Sequence, residues 1–193
     1  WNIQNETFFE SLRESVNQLK VRVSYGSLGN TPGAYYGHYP LYSSMMYNDE
    51  VAYFPSQMGN ADLSWEKCYT TNIGIDARFF DRFGVTIDLY NKNTSDLLYY
   101  APLPNISGYT GQYKNVGASN NKGLEISLNA DVIRTSKFQW TSDFNIGFNR
   151  NRVTELYGGK PELKGLKRLE EGRDMDEWYL REWAGVDPAN GSP

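Results

Sequence analysis

Side chains able to do enzyme or metal chemistry are sparse in this chain. Its one histidine, His38, lies between Gly37 and Tyr39, with no cysteine or second histidine near enough to complete a ligand set. The run "EGRDMDEW" clusters Asp174, Asp176 and Glu177 and could attract a hard cation. It lacks the ligand spacing and glycine turn of a calcium loop, and a solvated acidic loop explains it more simply. Neither a metal nor a cofactor is therefore expected. Asp88, Glu125 and Asp143 are acids of the kind a glycosidase pairs, yet they fall among other polar residues on regularly alternating segments. No Gly-x-Ser-x-Gly elbow, no phosphate-binding Gly-Lys loop and no histidine beside a nucleophile is present, so no enzymatic activity is expected. The Asn-x-Ser/Thr spacings at Asn93 and Asn105 are incidental.

Aromatic residues are the better functional signal. The chain of 193 residues carries 15 Tyr, 5 Trp and 18 Gly, a composition that suits turn-rich β structure better than an α/β enzyme. Between residues 29 and 62, Tyr35, Tyr36, Tyr39, Tyr42, Tyr47 and Tyr53 stand among Gly, Pro, Ser and Asn. Exposed tyrosines offer rigid amphipathic contact area, so these are candidates to touch a ligand or a partner. The alternative is that they pack on one another and order a long loop. A net charge of −4 with scattered Lys and Arg excludes a nucleic-acid stripe. No apolar run approaches the ~20 residues of a membrane helix. The single Cys68 cannot form an internal disulfide and reads as a small buried or lipid-facing side chain.

The elements that position these residues are strands. Leu124, Ile126, Leu128, Ala130 and Val132 alternate with Glu125, Ser127, Asn129 and Asp131, and Trp140, Phe144, Ile146 and Phe148 alternate with Thr141, Asp143, Asn145 and Gly147. Ile73 to Phe79, Val85 to Leu89 and Val21 to Tyr25 keep the same period. With weaker candidates near 2–9 and 181–187, about seven strands are expected, several longer than usual in globular sheets. Connections near 80–83 and 133–138 are tight, whereas those near 29–63, 101–114 and 157–180 are long. Short and long thus alternate, which in a meander puts all short turns at one end, as in outer-membrane barrels.

Trp65 and Phe79 are separated by ~46 Å of strand, or ~35 Å along the membrane normal at ~40° tilt, enough to span an apolar band and both interfaces. Trp65, Phe79, Phe80 and Trp140 are therefore candidates for the lipid-interface girdles. Asp76, Arg78, Asp88, Glu125, Asp131 and Asp143 would line a wet lumen, which accommodates a mean hydropathy of −0.63. A soluble β-sandwich, with the apolar face turned inward, has the same periodicity.

Five stretches, "WNIQNETFF", "LKVRVSYGSLGN", "NADLSWEKCYTTNIGIDARFFDRFGVTIDLYNKNTSDLL", "KNVGASNNKGLEISL" and "GVDPANGSP", follow one another in an order that resembles the SusC/RagA family of TonB-dependent outer-membrane transporters. The resemblance runs from Trp1 to Pro193. Cys68 departs from the Thr-like residue usual after Trp-Glu-Lys, and "EGRDMDEWYLREWAG" is more charged than the family's Gly-aromatic run.

The resemblance implies an all-β antiparallel meander forming part of a large transmembrane barrel of about 22 strands. Residues 1–193 would be a segment of that barrel domain, with the plug domain, the TonB box and any signal peptide upstream of Trp1. An odd count of strands with unpaired edges supports the same expectation. Implied partners are a SusD-like surface lipoprotein, the TonB complex acting through upstream segments, an oligosaccharide or peptide ligand and outer-membrane lipid. The implied location is the outer membrane of a Gram-negative, Bacteroidetes-like cell. A soluble β-sheet module that binds carbohydrate or protein through Tyr-rich loops is the alternative.

Overall fold

The computed structural model describes residues 1–33, 36–183 and 185–191. In chain order the strands are β1 (Val16–Asn30), β2 (Leu41–Tyr47), β3 (Glu50–Gln57), β4 (Glu66–Phe79), β5 (Phe83–Ser95), β6 (Leu98–Pro102), β7 (Gly111–Asn115), β8 (Ala118–Arg134), β9 (Gln139–Glu155), β10 (Glu162–Lys164) and β11 (Lys167–Leu169). The five long strands form one antiparallel sheet in the order β1-β4-β5-β8-β9. The others pair as β2–β3, β6–β7 and β10–β11, small hairpins carried in the long connections, where the sequence pattern shows only loops.

Period-two alternation sets the register. Partners across an antiparallel ladder share a face, so a slip by one residue would exchange the two faces. On one face Leu19, Ala77, Val85, Leu128 and Phe144 make a row. Val21, Ile75, Ile87, Ile126 and Ile146 make the next, and Val23, Ile73, Leu89, Leu124 and Phe148 a third. β8 and β9 each run 17 residues, well beyond the ~9–11 tilted residues that cross a bilayer.

Among the described residues nothing covers those rows. The buried apolar residues among those described are only Phe9, Ala101 and Val153, and Phe144 and Phe148 are 53% and 56% exposed. A sandwich would bury its inner faces against a second sheet. Among the described residues this sheet has no such partner, and its apolar rows stay exposed.

The tight connections lie together at one end. Phe80 and Asp81 take positive φ of 52° and 51° in the turn after β4. Arg82 then donates to the carbonyls of Asp131 at 3.0 Å and Val132 at 2.9 Å, holding the β8 bulge between Asp131 and Ile133 against this turn.

Two expected strands are absent. Residues near 2–9 form the 3-10 turns Ile3–Asn5 and Thr7–Leu12, because adjacent Phe8 and Phe9 break the alternation and Arg13 gathers the carbonyls of Gln4 and Glu6. An isolated bridge, Asn2 to Lys20, and the Gln4 side chain on the Leu19 N–H join this segment to β1 without making it a strand. The described residues near 181–187 form no strand, their charges falling on both parities so that no apolar face exists.

The β2–β3 turn, Asn48-Asp49, has φ of 52° and 65°, the signs of the hairpin turn that Asn-Gly fits best. Asp49→Gly is expected to stabilise this hairpin by about 0.5–1 kcal/mol, because glycine takes the left-handed conformation without a Cβ clash. Amide exchange across residues 41–57 should slow in the variant, and unchanged or faster exchange would contradict it.

Candidate functional site

The opposite face of the sheet is polar. Asp76, Arg78, Asp88, Glu125, Asp131 and Asp143 all lie on it, as their register partners require. Asp76 and Asp88 meet at a residue the acid pattern does not reveal, Arg22 of β1. Its guanidinium donates to Asp76 at 2.8 and 3.0 Å and to Asp88 at 3.0 Å, while the Thr86 hydroxyl donates to Asp76 at 3.2 Å. Gly74 lies between them, and a Cβ there would fall 2.7 Å from the Arg22 Cζ. Glycine is what lets arginine reach across β4. Glu125, opposite Asp88, and Asp143, opposite Asn129, stand apart from this cluster. Arg78 turns to the short end and donates to the Asp81 carbonyl at 3.1 Å. Cys68, half-buried beside Thr70, is also on the polar face, not the apolar one.

The Leu63-Ser64-Trp65-Glu66-Lys67 stretch binds the long connections together. Glu66 accepts from the Asn30 amide and from the Leu98 backbone N–H, both at 2.8 Å. Lys67 pairs with Asp96 at 2.8 Å. Asn115 exchanges two 2.7 Å hydrogen bonds with the Ser64 backbone. The motif residues thus clamp the feet of two connections, β1 to β4 and β5 to β8. Trp65 precedes β4 and its ring lies over Gly29.

Phe79 lies opposite Phe83 at the other end of β4, Phe80 is exposed in the turn, and Trp140 lies opposite Ile133. The stacked pair Tyr25–Tyr69, with ring centroids 6.4 Å apart, lies on strands β1 and β4 between Trp65 and the apolar rows.

Beyond the clamp, Tyr42 and Tyr53 share one face of the β2–β3 hairpin and Tyr47 takes the other, all strongly exposed. Tyr36 and Tyr39 offer their carbonyls to the Gln57 amide, and the His38 ring lies against Tyr39 at 3.9 Å. Tyr35 lies outside the described residues. No ring contact joins these tyrosines to one another among the described residues. In the acidic cluster, Asp176 pairs with Lys167 and Glu177 with Arg173, so these acids are committed to cations.

An open cavity of about 560 Å³ separates the β6–β7 and β10–β11 hairpins, lined by Leu98, Tyr99, Val153, Tyr157, Leu169 and Met175 among others. The Tyr99 hydroxyl donates to Glu162 at 2.6 Å. Lys164 lies 4.9 Å from the Tyr99 ring, and Lys114 lies 5.5 Å from that of Tyr157.

This arrangement agrees with what known proteins show. The family model described as "TonB dependent receptor-like, beta-barrel" matches residues 12–176. The chain belongs to that family. Its likeness falls among the SusC/RagA members: it is 38% identical to a TonB-dependent receptor of Formosa agariphila over 96% of this chain and 18% of that protein. It is 33% identical to the TonB-dependent receptor SusC of Bacteroides thetaiotaomicron, over 82% of this chain and 17% of SusC. A solved structure of the RagAB peptide transporter matches with TM-score 0.87 and 32% identity, covering 97% of this chain and 21% of that one. The chain thus spans about a fifth of the length of these relatives. Like the other SusC/RagA members it is an outer-membrane transporter-family chain of Bacteroidetes-like bacteria, and this family is not one of enzymes.

Burial, followed by the hydrogen bond to Glu162 and its charge, pushes the Tyr99 phenol up from 10.0 to about 12. Since the folded value is the higher one, the Tyr99 contribution to loop stability is complete below pH 10 and is lost as pH rises through about 12. A phenolate absorbance titration of the intact protein should contain one late step near pH 12 that Tyr99→Phe removes. If Tyr99→Phe leaves the titration unchanged, the Tyr99–Glu162 pair does not form.

Proposed function

We propose that this chain is a wall segment of a SusC-like outer-membrane importer whose barrel has about 22 strands. The observation that carries the reading is the uncovered sheet with three continuous apolar rows on one face and a charged network on the other. Lipid against the first and water against the second is the arrangement that leaves both satisfied. In this reading Asp76, Arg78, Asp88, Glu125, Asp131 and Asp143 line the lumen. Phe79, Phe80 and Trp140 mark the periplasmic interface, and Trp65 marks the outer one with Tyr25 and Tyr69.

Residues 1–193 lie within the barrel domain, and the plug and TonB box belong to upstream parts of the parent protein. Energy comes through TonB, and a SusD-like lipoprotein caps the outer mouth. The exposed Tyr36, Tyr39, Tyr42, Tyr47 and Tyr53, with Tyr35, contact cargo or that cap. The cargo is an oligosaccharide or a peptide; RagAB, similar at 32% identity, is a peptide transporter. The chain breaks no bond, and it needs no cofactor or metal.

The decisive experiment is purification of the native protein from outer membranes in detergent. A polypeptide several times 22.1 kDa that copurifies with a surface lipoprotein supports the importer, and a water-soluble protein near 22.1 kDa overturns it. Ile126→Lys, in the middle apolar row, should cost about 2–4 kcal/mol of barrel stability, with smaller costs for lysine at rows nearer either end. Equal costs at all depths would place this face away from lipid.

A further inference from the structure

On the apolar face, the two rows that follow Val23–Ile73–Leu89–Leu124–Phe148 toward the long connections contain Lys122, Arg150 and Arg152 and no carboxylate. Lys122 and Arg150 are direct cross-strand partners. Like charges in that position repel, and neither has an ion-pair or hydrogen-bond partner among the described residues. Other cations of the long connections are matched, Lys67 with Asp96, Lys167 with Asp176 and Arg173 with Glu177.

The surface beside the two cations is hollowed. Leu89, Leu124 and Phe148, together with Asn91, Lys122 and Arg150, line an open groove of about 400 Å³. An apolar trough that ends at an uncompensated cation pair matches a molecule with a hydrocarbon chain and an anionic head. A free anion would leave the trough empty, and an acidic protein surface would place polar groups against Phe148 and Leu124.

We propose that Lys122 and Arg150 hold the phosphate of a phosphorylated lipid of the outer leaflet, with one acyl chain in the Leu89–Leu124–Phe148 groove. Arg152, two residues further along the same face, lies within reach of the same headgroup. Such a lipid cancels the repulsion between the two strands and fixes the depth of the wall in the membrane. The proposal rests on the reading of this face as lipid-facing.

The test uses the full-length receptor in detergent, native mass spectrometry, and monophosphoryl lipid A as probe. The wild-type protein should retain the lipid, and Lys122→Ala/Arg150→Ala should retain roughly thirtyfold less, as expected for loss of two cations at a headgroup. Lys122→Arg/Arg150→Lys should retain it, since charge is kept. Equal retention by the alanine variant, equal retention of dephosphorylated lipid A, or displacement by inorganic phosphate alone would each overturn the proposal. A photoreactive phenylalanine at Ile126 separates the two readings. If it captures acyl chains while the alanine variant binds normally, only the headgroup site fails; if it captures none, the lipid-facing reading fails with it.

Discussion

Backbone hydrogen bonding is the constraint on which the rest of this structure depends. In hydrocarbon no water can satisfy a stray N–H or C=O, so each crossing strand must be paired along both sides. The ladder achieves this between neighbours without interruption through the apolar rows, and its bulges lie outside them, near the ends of β1, β8 and β9. The two free edges belong to β1 and β9. On β1, Trp1 closes a reciprocal pair of backbone bonds with Val21, and the Gln4 side chain takes the Leu19 N–H. On β9 the edge is bare in this sheet, with residues 139–150 exposed. A row of open donors and acceptors this long is stable only when another strand completes it.

Once pairing is fixed, the two faces solve opposite problems. The apolar face needs only shape and a change of character at its ends. The polar face must satisfy its own charges, and it does so by letting side chains cross flat over glycine. Arg22 crosses Gly74 to reach Asp88, and Tyr90 crosses Gly123 so that its hydroxyl donates to Asn149 at 3.1 Å. A side chain at either position would displace the crossing group.

Strand location, parity and the end that carries the tight turns were legible in the sequence because each is written in period two over many residues. The segregation of Asp76, Asp88, Glu125 and Asp143 onto one face followed from the same parity. Arg22 was not legible as their partner, since it lies more than fifty positions from Asp76 and only register brings it there. An opposite charge of matching parity on a neighbouring strand was the available signal. The small hairpins stayed hidden because β2–β3 has aromatic or apolar residues on both faces, such as Tyr42 and Tyr53 against Met45 and Tyr47, which erases the alternation. Near residues 2–9 apolar content alone suggested a strand, but apolar content without period two selects no face.

The clamp at the foot of the long connections has an entropic meaning. A connection of the length between β1 and β4 loses freedom when its ends are joined, and every residue ordered beyond them costs more. Glu66 and Asn115 reduce that freedom where it matters most, by fastening the end of one connection to its own start and to the start and end of the next. Asn60 donates to the Tyr113 carbonyl and Gln112 to that of Gly59, which extends the fastening one step outward. The segment that holds the exposed tyrosines is therefore tethered at its base. Their backbone is anchored while their rings remain free, which is the condition under which contact area is gained without ordering a long loop at the same time.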